Sequence, residues 1–139
     1  MKTVFIEASA PIDPAIPTEV LDRLPARVAL FTTIQYIGHL PNFTRQLEAS
    51  GRQVIVLETK HTRHPGQLLG CNNEVFDAAF DAFFFVGDGE FHPKALVFNN
   101  RKPVVAFNPH TGQAKAFSSD MVEGEARRRR AAYAAFLAG

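Results

Sequence analysis

Apolar residues fall in short blocks separated by turn-forming residues. Residues 27–34 hold the run Val28-Ala29-Leu30-Phe31, and residues 82–86 hold Phe83, Phe84 and Phe85. An uninterrupted apolar run of this length suits a strand covered on both faces, as in parallel sheets. Residues 3–8, 53–58 and 103–107 are further strand candidates. Between them, Leu40, Phe43 and Leu47 recur at helical spacing, and Gly51 supplies a stop. Residues 72–80 and 92–99 read as helices, the second with Pro93 in its first turn. Thr18 is placed to cap a short helix running to Leu24, which Pro25 closes. Pro11, Pro14 and Pro17 make the stretch before it extended or turning. Ser118-Ser119-Asp120 is placed to cap a last helix, rich in Ala and Arg, over residues 119–138.

Strand and helix patterns alternate with short links. That alternation predicts an α/β fold: a single three-layer domain with a mostly parallel, four- to five-stranded sheet flanked by helices. Its core is expected over residues 26–112. Parallel sheets place ligands at the carboxyl ends of their strands. The loops after Ile34, Glu58, Val86 and Phe107 are therefore expected to share one functional edge.

Composition narrows the function classes. The chain has 139 residues, enough for one domain, with 46% hydrophobic and 21% charged residues. A net charge of +1 gives no strong field to steer a nucleic acid or a membrane surface, so neither partner is expected. The single cysteine excludes an intrachain disulfide and suits a reducing, cytoplasmic setting. The apolar stretch near Met1 is too short for a signal peptide, and Glu7 interrupts it. Thirteen Phe without a Trp point to core filling. Two readings of Arg127 to Arg130 stand: contact with phosphates, or a solvated segment, since consecutive arginines point all round a helix.

The candidate chemistry gathers in two runs. One is 63–71, Arg-His-Pro-Gly-Gln-Leu-Leu-Gly-Cys; the other is 85–93, Phe-Val-Gly-Asp-Gly-Glu-Phe-His-Pro. Two readings of Cys71 stand. At a helix start its thiolate would be favoured, which is the form that binds metal. Behind Leu68 and Leu69 it would instead be a small buried hydrophobe. His61, His64 and Cys71 match no common zinc spacing. A catalytic cysteine would take His39, His61 or His92 as its base. Gly87 and Gly89 allow a backbone to come close to a ligand, with amides free to meet an anion. His92 beside that turn is either a ligand contact or the cap of the next helix. Thr32, Thr33 and Gln35 close the second strand, where they would orient a ligand or form the turn.

Taken in order, these runs resemble the diphthamide synthesis protein family. The matching pieces are residues 27–35, 65–71, 85–93 and 102–104, closed by Asn108-Pro109-His110-Thr111-Gly112. The resemblance implies one α/β domain, corresponding to the middle domain of a family built from three similar domains. In that family each domain gives one cysteine to a shared 4Fe-4S cluster. The cluster binds and cleaves S-adenosylmethionine, and a 3-amino-3-carboxypropyl group passes to a histidine of elongation factor 2. By the resemblance, Cys71 is the metal ligand. Gly66, Gln67, Gly87, Gly89, Phe91 and His92 would lie near the cluster or the substrate, and Thr33 and Gln35, at the end of the second strand, are added as cofactor-binding candidates. One cysteine cannot hold a cluster. The implied partners are therefore other diphthamide-synthase-like domains or further copies of this chain, a trimer among them. The alternative is a non-catalytic module that binds a nucleoside or S-adenosylmethionine-like ligand.

Overall fold

A computed structural model describes residues 14–59, 64–68, 75–76, 78–89 and 91–138. The strand expected at residues 3–8 lies outside them. The described strands are β1 (Arg27–Thr32), β2 (Gln53–Ile55), β3 (Ala82–Val86), β4 (Val104–Asn108) and β5 (Gln113–Phe117). They form one five-stranded sheet in the order β2-β1-β3-β4-β5. The β2–β1, β1–β3 and β3–β4 pairs are parallel; β5 joins β4 antiparallel. The helices are α1 (Thr18–Leu21), α2 (Leu40–Ala49), α3 (Phe91–Asn100) and α4 (Ser119–Ala138), with a 3-10 turn over Ile34–His39.

The apolar runs are explained by cover on both faces. Successive strand side chains point to opposite faces of the sheet. Val28 and Leu30 pack with Val20 of α1 and with Leu40, Phe43 and Leu47 of α2. Ala29 and Phe31 pack with Leu96 and Val97 of α3 on the other side. The three phenylalanines of β3 divide in the same way, Phe84 into the first cluster and Phe83 and Phe85 into the second. Helices on both faces make the three layers.

Several elements differ from the expectations. β1 ends at Thr32, and Ile34 opens the 3-10 turn with 38% of its surface exposed. β2 keeps only Gln53–Ile55 and has β1 as its only neighbour among the described strands. Thr18 is the first residue of α1 rather than its cap: the Pro17 carbonyl accepts the Val20 and Leu21 N–H groups, and the helix stops at Leu21. The described part of 72–80 is not helical. Ring packing takes its place. Phe76 lies 5.1 Å from Phe31, Phe80 lies 4.8 Å from Phe83, and the Lys102 ammonium stands 3.7 Å over Phe80. β5 was not anticipated, because Phe117 is the only one of its residues that is buried. The last helix starts as its sequence suggests, with Ser118 Oγ accepting the Met121 N–H at 3.3 Å. Among the described residues, no helix is long and apolar enough to cross a membrane.

Candidate functional site

The carboxyl ends of β1, β3 and β4 form one edge, and both glycine-bearing runs reach it. Gln67 makes a parallel bridge to Thr32, the last residue of β1. The Thr32 N–H donates to the Gly66 carbonyl and the Leu68 N–H donates to the Thr32 carbonyl, each at 2.8 Å. The segment thus continues the sheet beside β1 where the short β2 has ended. Gly66 is required there. Its φ is +79°, and a Cβ would meet Leu40 Cδ2 at 2.7 Å. The Thr59 hydroxyl donates to the Gln67 carbonyl at 3.2 Å, and the Thr32 hydroxyl donates to the Val86 carbonyl at 2.7 Å, tying β1 to β3.

The second run begins where β3 stops. The Gly87 N–H donates to the Phe107 carbonyl at 3.0 Å. A Cβ on Gly87 would sit 2.9 Å from Phe85 Cζ and 3.4 Å from the Thr33 methyl, so Thr33 and Gly87 are neighbours. Gly89 has φ +78° with open space around it. Phe91 opens α3, and His92 stacks on Phe85 with ring centres 5.7 Å apart. Burial pushes the His92 imidazole below its usual pKa. Gln35 is half-buried in the 3-10 turn.

The candidate ligands do not converge. Cys71 and His61 lie outside the described residues. His39 packs against Tyr36 and Phe43 of the α1–α2 core, whereas His92 lies against Phe85 on the opposite face. Among the described residues, no three His, Cys, Asp or Glu side chains are grouped to hold a metal ion. A single copy of the chain, with one cysteine, does not fit an iron–sulfur cluster, which needs several thiolates. One thiolate per copy fits one ligand position in a shared site.

The structure adds features that sequence patterning did not single out. The Tyr36 hydroxyl and Gln67 Oε1 are buried with no hydrogen-bond partner among the described residues. A buried polar atom left unpaired costs roughly 1–3 kcal/mol, so two of them flanking Thr32–Thr33 mark an edge with unfilled polar capacity. Burial, and then the Asp88 charge, raise the Tyr36 pKa. No motif signals Tyr36, because an aromatic in a turn reads as core. On the α3 side of the same edge lies a cleft of ≈330 Å³, lined by Gly87, Gly89, Asn108, Thr111, Gln113 and Lys115.

A model of the diphthamide synthesis protein family matches residues 1–138. The chain belongs to this family. It is 33% identical over 121 residues to the 2-(3-amino-3-carboxypropyl)histidine synthase of Pyrococcus horikoshii, covering 84% of this chain and 34% of that protein. It is 32% identical over 101 residues to subunit 1 of the human synthase, covering 68% of this chain and 23% of the human one. The crystal structure of Dph2 from Pyrococcus horikoshii with a 4Fe-4S cluster superposes with a TM-score of 0.72 at 31% identity, over 80% of this chain and 32% of that one. The diphthamide-synthesis domain described here therefore spans about a third of the archaeal relative's length.

Proposed function

We propose that this chain is a cluster-bearing unit of a 2-(3-amino-3-carboxypropyl)histidine synthase. Cys71 supplies one thiolate to a 4Fe-4S cluster whose other thiolates come from further domains of the same type or further copies of the chain. The assembly transfers a 3-amino-3-carboxypropyl group from S-adenosylmethionine to a histidine of elongation factor 2. When bound, the cluster supplies the electron that cleaves S-adenosylmethionine.

The observation that carries this reading is the docking of residues 66–68 on the end of β1 through the Thr32–Gln67 bridge. It brings the run leading to Cys71 to the same edge as Gly87 and Gly89. The chain's own residues then divide the work. Gly66 lets the segment turn against Leu40 and Val56. Gln67 and Tyr36 hold unfilled polar atoms at the edge. Thr33 and Gly87 keep the end of β3 close-packed, while Gly89, Phe91 and His92 carry the chain into α3. Gln35 belongs to the turn after β1 and completes the polar set.

The test is anaerobic reconstitution with iron and sulfide, followed by iron analysis and native mass. One 4Fe-4S cluster for several chains, lost in Cys71→Ala, is the expected result. Equal iron in Cys71→Ala would overturn the assignment of that ligand.

A further inference from the structure

The Tyr36 hydroxyl and Gln67 Oε1, the buried oxygens without a partner among the described residues, lie on one face of the sheet. Tyr36 is 1% exposed and Gln67 7%. Val28 and Leu30 of β1 point to the α1–α2 side, so Thr32 points there as well. Val86, which pairs with Thr32 in register, packs in the same core. Gln67 is the other bridge partner of Thr32, and paired residues of neighbouring strands share a face. Tyr36, in the turn that follows β1, packs in that core too. The loops after β3 and β4 also reach the tyrosine. Its ring lies 6.4 Å from that of His110, and the Asp88 carboxylate acts electrostatically on its hydroxyl.

A carboxamide oxygen only accepts hydrogen bonds, and a phenolic oxygen accepts as well as donates. Both oxygens therefore call for a donor, and the Asp88 charge favours a cationic one. An ammonium meets these demands: it has N–H groups for both oxygens and a charge opposite to that of Asp88. Left empty, the two buried oxygens cost stability, which a ligand restores when it supplies the donors. The last torsion of a glutamine is soft, so the Gln67 amide turns to meet an arriving group without a change of backbone. We infer that the Tyr36 hydroxyl and Gln67 Oε1 receive the ammonium of the amino-acid arm of S-adenosylmethionine. This assignment rests on the function proposed above and adds Tyr36 to it as a specificity-determining residue.

The experiment is calorimetric titration of the full, iron-free chain with S-adenosylmethionine and two analogues. Decarboxylated S-adenosylmethionine keeps the ammonium and lacks the carboxylate; 5′-methylthioadenosine keeps the nucleoside and lacks both. Tyr36→Phe is expected to weaken binding of the two ammonium-bearing ligands about tenfold or more, as loss of a charge-assisted hydrogen bond does, and to leave 5′-methylthioadenosine unchanged. Gln67→Met, which keeps the length and removes the acceptor, should show the same pattern. A loss confined to S-adenosylmethionine would move the contact to the carboxylate and overturn the inference. Equal affinities in Tyr36→Phe would overturn it too, while S-adenosylmethionine binding itself would stand. Binding of none of the three to the unaltered chain would also overturn it, and the Cys71 assignment would still be judged by its own iron analysis. The melting temperature without ligand is a second readout. A hydroxyl kept for a ligand has no structural bond to lose, so Tyr36→Phe should keep or raise that temperature. A clear fall would reveal a structural partner and overturn the assignment.

Discussion

A methyl group is enough to test the site's backbone. At Gly66 it would arrive 2.7 Å from Leu40 Cδ2 in a left-handed conformation. Gly66→Ala is expected to cost about 2–4 kcal/mol, from strain and overpacking together. Gly89→Ala carries the strain without the clash and should cost about 1 kcal/mol. Gly38→Ala meets nothing within 4 Å and has no positive φ, so it serves as the neutral control. Urea unfolding of the three variants checks the order. His92 adds a pH dependence. Its folded pKa lies below the unfolded value of 6.5, because burial disfavours the imidazolium. As pH falls through 6.5 the unfolded chain takes up the proton first, so stability is full above that value and declines below it until the folded imidazole also protonates. His92→Phe, which keeps the stack on Phe85, should flatten the acid side of a melting-temperature profile. An unchanged slope would remove His92 as its source.

The elements buried on two faces are the ones the sequence announces. β1 and β3 are apolar runs because helices cover both their sides, and α2 is legible from Leu40, Phe43 and Leu47, all turned to one core. β5 is hidden because an edge strand exposed along most of its length needs little hydrophobicity; Gln113 and Lys115 face the cleft. The shortening of β2 and the loss of a helix before Phe80 come from tertiary contacts, respectively the Thr32–Gln67 bridge and the packing of Phe76 and Phe80 on β1 and β3. Those are pairings between distant residues, which periodicity cannot carry. The same distinction applies to the site. Gly66, Gly87 and Gly89 announce themselves as turn glycines, whereas Tyr36 acquires significance only from neighbours far away in sequence. At this scale α4 supplies a prediction. Its contact with the body includes the Lys94–Glu125 ion pair at 3.0 Å, and residues 127–138 are exposed. Ending the chain at Arg130 should leave the melting temperature unchanged, whereas ending it at Ser118 should lower it. Equal loss in both would mean that the exposed half of the helix is structural.

For the whole molecule, the decisive quantity is stoichiometry. With one cysteine per chain, cluster content must scale with assembly: iron should co-elute with an oligomer or with a complex of partner domains, and not with a monomer. Size-exclusion chromatography with iron detection under anaerobic conditions measures this. An iron-free monomer whose melting temperature nevertheless rises with S-adenosylmethionine would move the function to a cluster-free binding module, since a ligand that binds only the folded state stabilises it by mass action.

The reversed direction of β5 also governs how anything large reaches the site. Because β5 runs back from the functional edge, α4 starts at the far side of the sheet and climbs alongside α3, meeting Lys94 near the start of that helix at Glu125. The remaining turns, about 18 Å of helix, stand beyond the rim like a mast, with Arg127 to Arg130 at its base and Tyr133, Phe136 and Leu137 above them. Twelve exposed residues of helix, four of them arginines, thus flank the rim on the α3 side.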